Sequence, residues 1–212
     1  MSYRFTMAVR LILWVVVAAM VVGHVTVAGA QIPPDANKYK RDLTRNARLV
    51  WGLDAPIATF AAQIHQESGW RVDAKSPVGA SGMAQFMPAT AKWISGLYTE
   101  LQDNQPTNPA WAIRAMVEYN KWLYARVPPA ATHCERMAFV LSSYNGGLGW
   151  LQKDVALTRK MGDDPRWWFG HVEKHNGGRS MNAFAENRGY GPRILNTLEG
   201  RYVAAGWGIR SC

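Results

Sequence analysis

The 212-residue chain is 48% hydrophobic and carries ten tryptophans, enough apolar surface to offset the entropy lost on folding, which excludes a disordered protein. Its formal charge of +9 suits a polyanionic partner. The basic residues nevertheless form no block, and neither zinc-finger spacing nor an aromatic RNA-binding motif is present, so nucleic acid is not the expected partner.

Residues 1–30 contain Arg4 and Arg10 without an acid, an apolar run from Leu11 to Val22, and the end Ala28-Gly29-Ala30. This is the order of a secretory signal cleaved before Gln31. The alternative is a retained membrane anchor, since Val25 and Val27 continue the apolar character, although His24 and Thr26 interrupt it. Either way, residues 31–212 are expected outside the cytoplasm, periplasmic or extracellular, as one domain. Cleavage removes Arg4 and Arg10 and leaves a charge of +7. An oxidising compartment allows Cys134 and Cys212 to pair, and a structural disulfide is their expected use. His133 beside Cys134 lacks further ligands at zinc spacing, so neither a metal nor a cofactor is expected.

Beyond Pro33-Pro34 the pattern is mostly α. A first helix is predicted over Asp35–Val50, with Gly52 as its stop. Pro56 opens a second, reaching Ser68, with Asp54 as cap and Ile57, Phe60, Ala61 and Ile64 on one apolar face. From Trp70 to Met87 Gly, Ser and Pro interrupt any helical period, predicting a structured loop or small hairpin. Pro88 begins a short helix, and Asn108-Pro109 caps and opens a long one reaching Arg126. Another runs from about Cys134 to Tyr144 and closes at Gly146-Gly147. Between Asp163 and Ala183 no period stands out, and Pro192 is read as opening the last helix.

Glu67 follows Phe60 by two helical turns, so it points where the apolar face points. It also sits at the helix C-terminus, where the dipole is negative, and both features favour the protonated acid. A satisfied buried glutamate would occupy the same position, and its companions decide between the readings. His65 lies on a different face. Asp54 and Asp73 are the nearby acids that could act as a second carboxylate, although Asp54 reads as a cap and Asp73 as a loop-stabilising residue.

The companions are Glu67-Ser68-Gly69, then Gly79-Ala80-Ser81-Gly82-Met83-Ala84-Gln85-Phe86-Met87-Pro88, then Ser143-Tyr144-Asn145-Gly146-Gly147, then Glu186-Asn187-Arg188-Gly189-Tyr190. In order and spacing these four motifs resemble the soluble lytic transglycosylase family, a branch of the lysozyme-like superfamily. Where that family usually has Gly-Leu-Met-Gln, this chain has Gly82-Met83-Ala84-Gln85, and Leu148–Ala183 does not align. The resemblance implies a lysozyme-like domain with its glycine-rich loop beside the catalytic helix. It implies a monomeric enzyme acting on peptidoglycan glycan strands, touching membrane only through its N-terminal segment, and forming 1,6-anhydromuramoyl ends. Glu67 is then the acid/base and Tyr190 orients it. Ser68, Gly79, Gly82, Met83 and Gln85 surround the muramoyl sugar, and Tyr144 and Asn145 hold an acetamido group. A hydrolytic muramidase and an inactive wall-binding module are the competing readings. Trp167-Trp168-Phe169 could be either an exposed sugar platform or core.

Overall fold

The computed structural model describes residues 31–212; the predicted export segment lies outside them. The expectation of a mostly α fold holds. The α-helices are α1 (Ala36–Trp51), α2 (Ile57–Ser68), α3 (Pro88–Leu97), α4 (Pro109–Tyr124), α5 (His133–Gly146), α6 (Leu148–Lys160), α7 (Met181–Pro192) and α8 (Glu199–Ala204). No helix among the described residues is long and apolar enough to cross a membrane.

Helix α2 forms the middle of the molecule, and nine of its twelve residues are buried. Ala58, Ala61 and Ala62 let α1 and α8 approach closely, while Phe60 and Ile64 fill the remaining space. Burial of a side chain such as Phe60 stabilises the fold by about 3 kcal/mol. A buried hydrogen bond of 2.7 Å from Asn120 to Gln63 ties α4 to α2. Asp54 does not cap α2: it is exposed, and the position before Ile57 is occupied by Pro56, with no side-chain cap. Asn108 does cap α4, accepting from Ala110 N at 2.9 Å, and Pro109 fills the first turn, where no amide donor is needed.

The C-terminal half departs from the sequence reading. Helix α6 starts directly after Gly147, and its inward positions are Leu151, Asp154, Val155 and Thr158. Half of that face is polar, so it carries no clear apolar stripe. Pro192 does not open a helix. It lies near the middle of a continuous run in which α7 passes through a π-helical turn, Arg193–Leu198, into α8. A proline inside a helix removes one amide donor and crowds the preceding turn, and the wider π turn begins at the next residue.

Residues 161–180 hold only a short 3-10 turn at Val172–Lys174. The segment is secured by Glu135, whose carboxylate accepts from Trp168 N at 2.6 Å and Phe169 N at 3.1 Å. Trp168 is fully buried against Phe139. The Trp167-Trp168-Phe169 triplet is therefore mostly core, with Trp167 alone of the three substantially exposed. A disulfide joins Cys134 to Cys212 with Cα atoms 4.8 Å apart, fixing the chain end to the first turn of α5.

Candidate active site

A cleft of about 590 Å³ opens where the C-terminal end of α2, the 70–87 loop, α4, α5 and α7 converge. Glu67, in the last turn of α2, is partly buried in its wall. Gly69, in the left-handed conformation at φ 62°, ends the helix and turns the chain into the loop. The Tyr190 hydroxyl donates a hydrogen bond to Glu67 Oε1. Burial pushes the Glu67 carboxyl up to about 7, the Tyr190 hydrogen bond opposes this, and the negative charge of Glu186 adds to it. A carboxyl titrating there is protonated in a large fraction of molecules at neutral pH and can both give and accept a proton.

The loop beside it is a small hairpin, in which Ser81 and Phe86 exchange backbone hydrogen bonds of 3.0 and 3.1 Å. Gln85 lines the cleft with φ 48°. Its amide nitrogen donates to the carbonyls of Gly82 at 2.8 Å and Ala74 at 3.1 Å, which leaves its oxygen, an acceptor, to offer a ligand. Across the cleft the Tyr144 hydroxyl donates to Ala84 O at 2.8 Å. Burial raises that phenol well above its ordinary value, so it stays neutral. Asn145 donates to Glu186 at 3.2 Å and accepts from Asn187 at 3.0 Å, which fixes its amide orientation.

Glu67, Gln85, Tyr144, Asn145 and Tyr190 therefore meet in one cavity. Ser68, Gly79, Gly82 and Met83 do not line it. Ser68 is buried and donates to Met83 O at 2.8 Å, holding the loop to α2. Met83 is entirely core. Gly82 is required by a different neighbour: a Cβ there would lie 1.7 Å from Pro106 O. Gly79 is exposed at φ 92° and serves the turn itself. Asp54 and Asp73 are exposed and outside the cavity.

Among the cleft residues to which the sequence assigns no role are Glu186, which heads the fourth motif, and Arg193. Glu186 and Arg193 are exposed and line the cleft with Tyr190. Glu186 precedes Tyr190 by four residues on the same face of α7, and Arg193 follows at the start of the π turn, an arrangement that becomes readable only once a helix is placed over 181–192 and continued beyond it. Glu186 is a second carboxylate in the cleft, which the sequence reading did not provide for. Among the described residues no cluster of three His, Cys, Asp or Glu could hold a metal.

The transglycosylase SLT domain family matches residues 47–166, more than half of the chain, covering Glu67, the loop and Tyr144 but not α7. Proteins named membrane-bound lytic murein transglycosylase F are similar. The one from Pasteurella multocida is 38% identical over 64% of this chain and 24% of its own length. Those from Haemophilus influenzae strain PittGG and Vibrio vulnificus strain YJ016 are 33% and 36% identical, over 76% and 73% of this chain and 28% and 27% of theirs. The chain thus spans about a quarter of the length of these relatives. The extent of the family match, and the position of Glu67 and its loop within it, establish that the chain belongs to the transglycosylase SLT domain family.

Proposed function

We propose that this protein is an exported lytic transglycosylase that cuts the β-1,4 bond between N-acetylmuramic acid and N-acetylglucosamine in peptidoglycan and leaves 1,6-anhydromuramoyl ends. The observation that carries the proposal is the Glu67 carboxyl, raised to about 7 in the cleft wall and held by a tyrosine hydroxyl. In this reading protonated Glu67 donates to the glycosidic oxygen while positive charge develops at the muramoyl anomeric carbon. The adjacent acetamido oxygen of the substrate stabilises that carbon, and Asn145 orients the acetamido group. Glu67, now ionised, removes the proton of the C6 hydroxyl of the same sugar, whose oxygen closes onto the anomeric carbon. The attack is intramolecular and so benefits from proximity without an ordered water. Tyr190 is a positioning residue, holding the Glu67 carboxyl on the line between the two oxygens.

Glu186 gives a hydrolytic muramidase its own specific support, because a second carboxylate could activate water. Its exposure and its bond to Asn145 argue for a substrate-holding role instead. The first test is clearing of a purified peptidoglycan suspension. Wild type lowers the turbidity and Glu67→Gln, which keeps the shape but has no proton to give, does not. Undiminished clearing by that variant would refute the assignment of Glu67.

A further inference from the structure

The cleft continues into aromatic surface that the catalytic machinery does not use. Tyr119, on α4, lines the cleft and packs against Tyr144 at 5.2 Å between ring centroids. On its other side it packs against Trp93 at 5.7 Å and Trp122 at 6.2 Å. Trp93 meets Trp122 edge to face at 4.9 Å. Four rings from α3, α4 and α5 thus form an unbroken row from the cleft to the surface, where Trp93 is 38% exposed.

Helix α3 extends the same line. Thr90 lines the cleft, and Trp93 and Leu97 follow it at three and seven residues, on the same face. Met87, which lines the cleft at the start of this helix, and Leu97 at its end are both exposed. The edge of the row is basic: the Arg126 guanidinium lies 4.1 Å from the Trp122 ring. The exposed Trp93 ring, with a cation on the neighbouring Trp122 ring, is chemically matched to a sugar that presents C–H groups on one face and carries an acidic substituent nearby.

We propose that Trp93, supported by Trp122 and Tyr119, is an outer subsite that holds the glycan strand beyond the units bound in the cleft. The occupant is a further amino-sugar unit of the same strand, stacked on Trp93, with its anionic substituent toward Arg126. Continuity with the cleft selects the strand over a separate protein partner, because a chain leaving past Thr90 and Tyr119 meets Trp93 next. This subsite rests on the glycan-cleaving reading above.

The test measures binding, with Glu67→Gln as the background so that no strand is cut. Affinity is compared for long peptidoglycan strands and for a fragment of two sugars. In that background Trp93→Ala is expected to weaken long-strand binding roughly three- to tenfold, to leave the two-sugar fragment unaffected, and to be restored in large part by Trp93→Phe. Leu53→Ala, an exposed apolar change at the opposite end of α2, should alter neither. Equal affinities for long strands with and without Trp93 would overturn the subsite, and retained strand binding together with loss of a co-purifying protein would assign the row to a protein partner. Weakening of both ligands alike would show that Trp93 only shapes the cleft and would also overturn it. Absence of glycan binding by the Glu67→Gln background itself is a different result, which removes the proposed function and the subsite with it.

Discussion

The proposed role of Glu67 ties ionisation to activity and to stability with definite signs. Activity that needs its proton should fall as pH rises through about 7, the value to which burial lifts it. Because the folded protein binds this proton more tightly than the unfolded chain, the group's contribution is full below its unfolded value and is lost as pH rises to about 7. A glutamine carries no such penalty. Glu67→Gln should therefore be more stable than wild type at pH 8, by at most about 3 kcal/mol, and the difference should vanish near pH 4. Urea unfolding at the two pH values checks this; equal stability at pH 8 would mean that Glu67 is not desolvated.

Its two neighbours pull in opposite directions. Glu186→Gln removes a negative charge that raises Glu67, so the alkaline limit of activity should move to lower pH while turnover persists. Tyr190→Phe removes a hydrogen bond that lowers it, so that limit should move to higher pH, with a rate about tenfold lower from lost orientation. Opposite shifts in the two pH–rate profiles are the expected outcome. If Glu186→Gln abolished turnover instead, Glu186 would have to act as the base of a hydrolase.

Among the elements, what holds the far wall of the cleft is a buried ion network. Asp154, fully buried on α6, pairs with Arg179 and with Arg188 and accepts from Gly177 N at 2.7 Å. Arg188 also reaches the carbonyls of Glu173 and His175. Asn187 beside it bonds Ser142 and Asn145 on α5. Through these contacts α7 presents Glu186 and Tyr190 to the cleft. Asp154→Ala leaves two buried guanidinium groups without their carboxylate and should cost about 3 kcal/mol, read as a lower urea midpoint. A midpoint within error of wild type would show that the network does not carry the wall.

The same network explains what could be read from the sequence. Helices α1, α2, α4 and α5 bury apolar residues at helical spacing, and Gly or Pro marks their ends, so local pattern and final structure agree. The inward face of α7 is Asn187, Tyr190 and Gly191, held by hydrogen bonds, and with Gly189, Gly191 and Pro192 it has neither period nor propensity to announce a helix. Without α7 in place, the sequence does not show that Glu186 and Arg193 share a cleft with Tyr190. Gly82 and Met83 stand near Glu67 in the motif order, but order does not reveal direction. One packs against Pro106 and the other enters the core, which depends on contacts distant in sequence.

In the whole molecule, the Cys134–Cys212 bridge spans a separation of 78 residues that contains α5, α6, α7 and α8. In the chain-entropy account, closing a loop of that length stabilises the fold by about 4 kcal/mol. Reduction should therefore lower the melting temperature by several degrees, and an unchanged transition would indicate that the tail is secured by the buried Thr59, Glu199 and Ser211 hydrogen bonds instead. The net positive charge acts on the same scale. Attraction to an anionic wall is screened by salt, so wall binding should weaken between low and physiological ionic strength.

In the proposed mechanism the muramoyl sugar closes on itself and water does not attack it. Mass spectrometry of the products released from purified peptidoglycan tests this most directly. The expected fragments end in 1,6-anhydromuramic acid, each lighter by one water than the corresponding hydrolysis product; fragments ending predominantly in reducing muramic acid would overturn the mechanism and assign Glu67 and Glu186 to a hydrolase.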